Sequence, residues 1–372
     1  MRYFFYCCLC IIMLCISCNN NDRNSISERN DYTLHATVFT VESYDGYSVV
    51  EVVNPWKKNV LLQRYIIAPQ DFQLPDTLPQ GVVLRTPLKN VVVYSSVHAN
   101  VIKELGHIDA IGGVCDAQYF YMPEIVAGLA DGTVVNVGNS MAPVAEKLIA
   151  LSPDAIILSP YQNGGYMEKI PQGTAVVECA DYMEVLPLGR AEWIKLFGLL
   201  FNEEAKADSI YNAVVEEYQF LNNKVIANQV KPKVLSENII NGTWYVPGGK
   251  SYMAQIFQDA GADYPWSETE VVGSIPLDMS QVLAKAHDAD VWLIKSLDAD
   301  FSYDKLKKQH ALNEKFKAFT DKKIYYCNTA QTTLFEDFPF HPEVLLQEYI
   351  AIFYPELAQE YTPKYFKPLN EN

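Results

Sequence analysis

From Thr33 to Val53 apolar and polar residues alternate on either side of Asp45-Gly46, the period of half-buried strands interrupted by a two-residue hairpin signal. Asn54-Pro55-Trp56 ends that pair, and Leu61 to Ala68 offers another strand. From Val91 the pattern changes to strand, loop, helix, strand. Val91-Val92-Val93-Tyr94 is a short apolar strand, and Ser95 and Ser96 supply turn and N-cap chemistry. Val101, Ile102 and Leu105 then line a helix that Gly106 ends. Ile108 to Val114 reads as the next strand. A helix from Pro143 to Leu151, the turn Ser152-Pro153-Asp154 and a strand from Ala155 to Leu158 repeat the unit, and Ala175-Val176-Val177 follows. Alternating β and α elements with unbroken apolar strands predict a parallel sheet covered on both faces.

A long helix is predicted from Glu203 to about Ile226, with Asn202 as its N-cap. Ala207, Ile210, Tyr211, Val214, Val215, Tyr218, Leu221 and Val225 recur in it at spacings of three and four. At 1.5 Å per residue it would run roughly 35 Å, enough to bridge two small domains. The alternative is a normal amphipathic surface helix inside one lobe; the bridge is favoured because the βα pattern starts afresh beyond it. Lys233-Val234-Leu235 is a strand, Asn241-Gly242 a turn, and Ser251 to Asp259 a helix ended by Ala260-Gly261-Ala262. The segment from Glu146 to Ala155 can also be laid over that from Ser280 to Ala289, each a helix, an Asp-Ala turn and a buried strand. One such match can arise by chance or from a generic αβ connection. With the similar openings at Val91 and Lys233, it points to two lobes of one design.

The first residues bear on the compartment. Arg2 is followed by an apolar run from Tyr3 to Ser17, about 15 residues or ~22 Å as a helix, short of a ~30 Å hydrocarbon core. It reads as a secretory h-region. Leu14-Cys15-Ile16-Ser17-Cys18 resembles a bacterial lipobox, although Cys15 stands where Leu is usual, and a polar tether begins at Asn19. Cys18 is therefore expected to carry the lipid, the alternative being an ordinary cleaved signal rich in cysteine. Several acyl chains on one residue would anchor the protein where a single chain would not. Of 8 cysteines, Cys115, Cys179 and Cys327 stay in the body, spaced as neither a disulfide framework nor a metal motif. They are expected to be buried small apolar residues.

The net charge of −16 argues against nucleic acid as a partner, which needs a basic footprint. About 350 mature residues exceed what one hydrophobic core usually serves. The expected division is a signal peptide over 1–17, a lipidated tether over 18–30, an N-terminal lobe with its β-rich start over 31–200, a bridging helix over 201–228 and a C-terminal lobe over 229–372. The fold class is α/β, with two Rossmann-like lobes of mostly parallel sheet joined by one long rigid helix and extra N-terminal β-hairpin strands.

Several short segments, in order, strengthen that reading: Tyr94-Ser95-Ser96, Glu104-Leu105-Gly106, Val137-Gly138, Pro143, and Glu146 through Asp154. Leu188-Gly189-Arg190-Ala191-Glu192-Trp193, Trp244-Tyr245-Val246-Pro247-Gly248-Gly249 and His341-Pro342-Glu343-Val344-Leu345-Leu346 complete the set. The chain from Val91 to Leu357 thereby resembles the class III periplasmic binding proteins, which serve importers of iron-siderophores, haem and cobalamin. Asn54-Pro55-Trp56 followed by strands looks like the version found in Bacteroides-type bacteria. The resemblance implies a ligand cleft between two lobes whose joining helix limits closure. It also implies delivery to the permease subunits of an ABC importer from the periplasm-facing side of a membrane, by a monomer without a cofactor. An iron chelate, siderophore or haem, is the first ligand expected, and a corrinoid the second. Aromatic rings suit such ligands, and the chain has 24 Tyr and 5 Trp, most of them expected in the core.

Candidate ligand contacts are residues in loops after strands: Ser96, His98, Tyr119, Tyr121, Tyr161, Gln162, Trp244 and Tyr245. Family members dock through a surface Glu on each lobe. Glu146 matches the first, whereas Ser280 stands at the second, with Asp278 close by as a substitute. No nucleophile elbow, paired carboxylate motif or P-loop appears, and Gly248-Gly249-Lys250 reads as a turn. The six histidines are scattered, with no HxH or HxxxH pair, so no catalytic or metal residue is assigned. An envelope chelatase or corrinoid-processing enzyme would need two or more His or carboxylates converging on the cleft. A surface adhesin would need a large exposed apolar patch.

Overall fold

The computed structural model describes residues 34–162, 165–226, 230–358 and 360–370; the expected signal peptide, Cys18 and the tether lie outside the described residues. The Asp45-Gly46 turn closes a hairpin of β1 (Phe39–Tyr44) and β2 (Tyr47–Val53), with Tyr44 paired to Tyr47. Gly46 sits at φ +81°, and a Cβ there would collide with the Phe72 ring, so only glycine fits. β3 (Leu61–Pro69) runs antiparallel to β2, and β4 (Val82–Thr86) runs parallel to β3. Phe39, Val41, Val50, Val52, Tyr65, Ile67 and Leu84 turn inward and join the core around Trp193 and Phe197. The β-rich start is thus built onto the N-terminal lobe, Phe39 lying 4.6 Å from Trp193 between ring centroids.

The N-terminal lobe continues with β5 (Val91–Val93), α1 (Ser96–Leu105), β6 (Ile111–Val114), α2 (Pro123–Asp131) and β7 (Val135–Asn136). A small hairpin, β8 (Gly138–Asn139) and β9 (Ala142–Pro143), leads to α3 (Ala145–Leu151), β10 (Ala155–Leu158) and β11 (Val176–Glu178). The sheet order is β11-β10-β5-β6-β7, all parallel, and its inner strands β10, β5 and β6 are unbroken apolar runs, as in a sheet buried on both faces. Ser95 caps α1 by accepting from the Val97 amide at 3.3 Å. Two expected boundaries shift. Pro143 pairs with Gly138 in the small hairpin instead of opening the helix, and Ile108–Ala110 form a single 3₁₀ turn before β6.

α4 (Pro187–Ala191) and the wholly buried α5 (Ile194–Phe201) precede α6 (Glu204–Ile226). Asn202 is not the N-cap of the long helix. It is left-handed at φ +58° and ends α5, its amide donating to Gly198 O, a conformation Asn tolerates better than most residues. The helix itself extends over both lobes. Near its start, the Tyr211 hydroxyl meets His35 Nδ1 at 2.5 Å. Two turns later, Tyr218 donates to Asp259 at 2.6 Å and Asn222 to the Asp259 carbonyl at 2.8 Å, on a helix of the second lobe.

That second lobe comprises β12 (Val234–Ser236), β13 (Ile239–Ile240), β14 (Thr243–Pro247), α7 (Tyr252–Asp259), β15 (Ser274–Leu277), α8 (Met279–Ala286) and β16 (Val291–Ser296). It is completed by α9 (Tyr303–Gln309), α10 (Lys317–Thr320), β17 (Ile324–Asn328), α11 (Leu334–Asp337), α12 (Pro342–Phe353) and β18 (Lys367–Pro368). β12, β16 and β17 are parallel neighbours, and β18 adds an antiparallel edge. β13-β14-β15 form a separate antiparallel flap. Gly248 and Gly249 follow β14 as the expected turn; a Cβ on either would strike backbone oxygens of the 266–273 loop, and the Gly249 amide donates to Thr269 at 2.7 Å. The fold is mixed α/β, its two lobes each built on a largely parallel sheet.

Candidate functional site

A cleft of 420 Å³ opens between the lobes. From the N-terminal lobe it is lined by Tyr182 and Glu184, which follow β11, and from the C-terminal lobe by the flap, α7, α11 and the end of β16. Its walls are chiefly apolar: Ile240, Pro247, Met253, Val272, Leu334 and Phe335, with the rings of Tyr245, Tyr252 and Phe338. A second groove of 800 Å³ adjoins it, sharing Glu237, Asn238, Ile240, Lys295 and Phe335. Glu237 and Lys295 lie at the carboxyl ends of β12 and β16. Crevices at that end of parallel strands are where open α/β sheets place ligands.

The flap explains which of two adjacent aromatics can meet a ligand. Successive strand residues face opposite sides, so along β14 Trp244 turns in and Tyr245 turns out. Trp244 is 0% exposed, donates through Nε1 to Ser236 O at 2.9 Å and stacks 5.4 Å from Trp292. Its expected role as a ligand contact is therefore corrected: it is core and supports the wall from behind. Tyr245, 48% exposed, lines the cleft.

His98 is corrected in the same way. Its ring, on α1, is buried against Phe197, Nε2 lies 2.9 Å from Asp181, and Nδ1 finds no partner among the described residues. Ser96 stands where the lobes touch and donates to Glu336 of α11 at 3.1 Å. Burial raises the Glu336 carboxyl above its ordinary range, more than that hydrogen bond lowers it. Tyr119, Tyr121, Tyr161 and Gln162 lie exposed on loops after β6 and β10 and do not line the cleft; Tyr161 meets Tyr166 edge-on at 5.5 Å. Glu146 is exposed in the first turn of α3. Asp278, also exposed, is the N-cap of α8, accepting from Ser280 Oγ at 2.6 Å and the Gln281 amide at 2.9 Å. Those bonds, Ser280 first, hold its carboxyl below the ordinary range.

Sequence reasoning missed Glu237, Lys295, Tyr182, Tyr252 and Phe335. The first two carried a signal, each being a charged residue at the end of an apolar strand. Tyr182 and Tyr252 had no such mark. Phe335 sits on a helix of barely one turn, too short to show a period.

Behind the cleft lies a buried ion network. Asp181 takes the Arg190 Nε at 3.0 Å and His98 Nε2 at 2.9 Å. Burial would raise the Asp181 carboxyl, but Arg190 and His98 together hold it below its ordinary value. The Arg190 guanidinium in turn lies 5.6 Å from the Tyr252 ring centroid and 5.9 Å from that of Phe338, so it ties the first lobe to two rings of the second. Cys115, Cys179 and Cys327 are buried free thiols, and burial pushes Cys115 up to about 12. Among the described residues, no group of three or more His, Cys, Asp or Glu is placed to hold a metal ion, and no helix is long and apolar enough to cross a membrane.

The periplasmic binding protein family matches residues 91–330. An uncharacterized lipoprotein of Methanocaldococcus jannaschii is 28% identical over 301 residues, 74% of this chain and 71% of that one. Among solved structures, the periplasmic heme binding protein HutB of Vibrio cholerae aligns with a TM-score of 0.58 at 19% identity, covering 72% of this chain and 99% of its own. The periplasmic vitamin B12 binding protein BtuF of Vibrio cholerae aligns with a TM-score of 0.52 at 14% identity, covering 74% and 99%. At such identities these two structures speak for the fold.

Proposed function

Because the chain belongs to the periplasmic binding protein family, class III, we propose that it is the solute-binding component of an ABC importer. It captures a metal chelate or macrocycle in the cleft between its lobes, an iron-siderophore or haem first and a corrinoid second, and hands it to the permease. The observation that carries this reading is the cleft itself: an apolar, ring-lined site at the carboxyl ends of parallel strands, with the Glu237–Lys295 ion pair in its lining. Solved structures of the same fold carry names that specify haem and vitamin B12 as ligands, which supports both classes.

Tyr245 is the ring placed to touch the ligand from the second lobe and Ser96 stands at the lobe boundary, while Tyr119, Tyr121, Tyr161 and Gln162, exposed outside the cleft lining, would meet only a ligand that extends beyond it. Glu146 is the docking residue proposed for the first lobe, and Asp278, exposed although it caps α8, for the second. Cys18 carries the lipid that holds the protein to the cell envelope, a reading supported by the lipoprotein relative.

Thermal-shift titration and native mass spectrometry with cobalamin, haem and a ferric siderophore panel test the proposal. A ligand that binds only the folded state raises stability by ~4 kcal/mol at a thousand times its dissociation constant. No binding of any panel member would sink it, and recovery of a chemically altered ligand would replace it with an enzyme. Replacing Cys18 with Ser should release the protein from membranes and abolish its labelling by fatty acid.

A further inference from the structure

The cleft and its adjoining groove hold very few charges. Lys295 is the single lysine or arginine among the described residues that line them, beside the carboxylates of Glu184 and Glu237, with His310 in the outer groove. Lys295 is already committed: Nζ donates to Glu237, with the two side chains 17% and 24% exposed. Glu184 is committed too, accepting from the Thr37 and Val38 amides at 2.9 Å and from Trp193 Nε1 at 3.1 Å. Nearby cations are tied as well, Arg190 to Asp181 at 3.0 Å, Lys250 to Glu270 at 3.8 Å and Lys305 to Asp298 at 2.8 Å.

Glu237 is held with unusual care. Its backbone is left-handed, φ +65°, a conformation Glu rarely adopts. Its amide donates to Leu293 O at 2.9 Å and its carbonyl accepts from Trp292 Nε1 at 2.7 Å. A disfavoured backbone kept in place by surrounding bonds, in the lining of a cleft, has the form of strain retained for a site. The result is one carboxylate set against the single cation. An anionic ligand drawing Lys295 to itself would leave Glu237 uncompensated beside a second negative charge, in a partly dehydrated setting. An uncharged or cationic ligand meets no such obstacle.

We propose that Glu237, paired with Lys295, makes this cleft selective for uncharged or cationic metal chelates and macrocycles and excludes polyanionic ones. The inference rests on the reading that solute binds in this cleft. The test is titration of the full mature chain with three probes: cobalamin, an uncharged ferric trihydroxamate and a trianionic ferric tricatecholate. At least one uncharged probe should bind 100-fold or more tightly than the tricatecholate. Glu237→Gln, which keeps the backbone bonds and frees the Lys295 charge, should narrow that ratio at least tenfold. Lys295→Gln should leave the tricatecholate excluded. Melting curves confirm that each variant is folded. Tricatecholate binding as tight as that of the uncharged probes, or a ratio unmoved by Glu237→Gln in a folded protein, would overturn the inference and leave the solute-binding reading standing. Failure of all three probes to bind would overturn the inference, and failure of haem as well would remove the solute-binding reading with it.

Discussion

His341, at the start of α12 in the second lobe, lies with Nε2 3.0 Å from both carboxylate oxygens of Glu104, near the end of α1 in the first. Its other ring nitrogen is 2.8 Å from Glu343. Only the protonated imidazole can donate from both nitrogens. Burial by itself would lower the pKa, but the bonds to Glu104 and then Glu343 outweigh it and raise the value to about 10.

A pKa raised in the folded state above the ordinary 6.5 stabilises the protein fully below that ordinary value. The contribution is lost as pH rises through the folded value of about 10. Wild type should therefore lose melting temperature between pH 7 and pH 10 by more than His341→Gln does. The difference between the two should be greatest near pH 6 and should nearly vanish above pH 10. Parallel melting curves across that range check it; equal slopes for the two proteins would show that the lobes are not clamped by this charge.

Arg190 also reaches across the lobes, to the Tyr252 and Phe338 rings, while its ion pair with Asp181 lies within the first lobe, and here the sign is opposite. The Asp181 pKa is depressed in the folded state, so its stabilisation is present above the ordinary carboxylate value and is lost as pH falls through the folded one. Arg190→Met leaves Asp181 buried without its main partner, at a cost of about 3–5 kcal/mol in urea unfolding at pH 7. That cost should shrink as pH falls below about 4 and Asp181 of the variant takes up a proton.

Where local chemistry decides a conformation, the sequence was sufficient. Asp45-Gly46 and Ser95 define a turn and a cap within a few residues of themselves. The long helix was equally legible, because its apolar spacing persists over six turns. Asn202 misled because Asn suits both ends of helices, and α5 before it, apolar but for Lys195, shows no period. His98 and Trp244 misled for another reason: a residue just after or within a strand can face core or solvent. Which it does depends on pairing with β13 and β15 for Trp244 and on Asp181, 83 residues away, for His98. Glu237 and Lys295 stand 58 residues apart, joined only once β12 and β16 align.

Glu192 illustrates a role that no motif announces. Its buried carboxylate accepts from the amides of Leu34, His35 and Ala36 at 2.7–3.0 Å, while Glu184 takes those of Thr37 and Val38. These bonds fix the chain just before β1. Glu192→Ala should cost about 2–3 kcal/mol, the scale for hydrogen bonds to a charged group. Hydrogen exchange locates the effect: amides 34–36 and then β1 should lose protection first, while β5 and β10 keep theirs. Uniform loss across the lobe would show that the β-rich start is not a separately anchored layer.

Trp244 and Tyr245 are neighbours in sequence with opposite expected phenotypes, and together they test how the flap works. Trp244 packs between Trp292 and Phe316, at 5.4 and 5.7 Å between ring centroids, and its removal opens a cavity that these rings cannot fill. Trp244→Ala should destabilise the protein by about 3–5 kcal/mol. Trp244→Phe, which keeps much of the volume but abandons the bond to Ser236 O, should cost less. Tyr245→Ala removes a half-exposed ring from the cleft wall, so its stability should change by no more than about 0.5 kcal/mol. Its effect belongs to binding. Losing one aromatic face from the cleft wall should weaken ligand affinity roughly tenfold, about 1.4 kcal/mol, chiefly through faster dissociation. Urea unfolding and stopped-flow dissociation on the same two variants separate the outcomes. If Tyr245→Ala binds like wild type while Trp244→Phe, still folded, does not, then the flap presents its other face to the ligand.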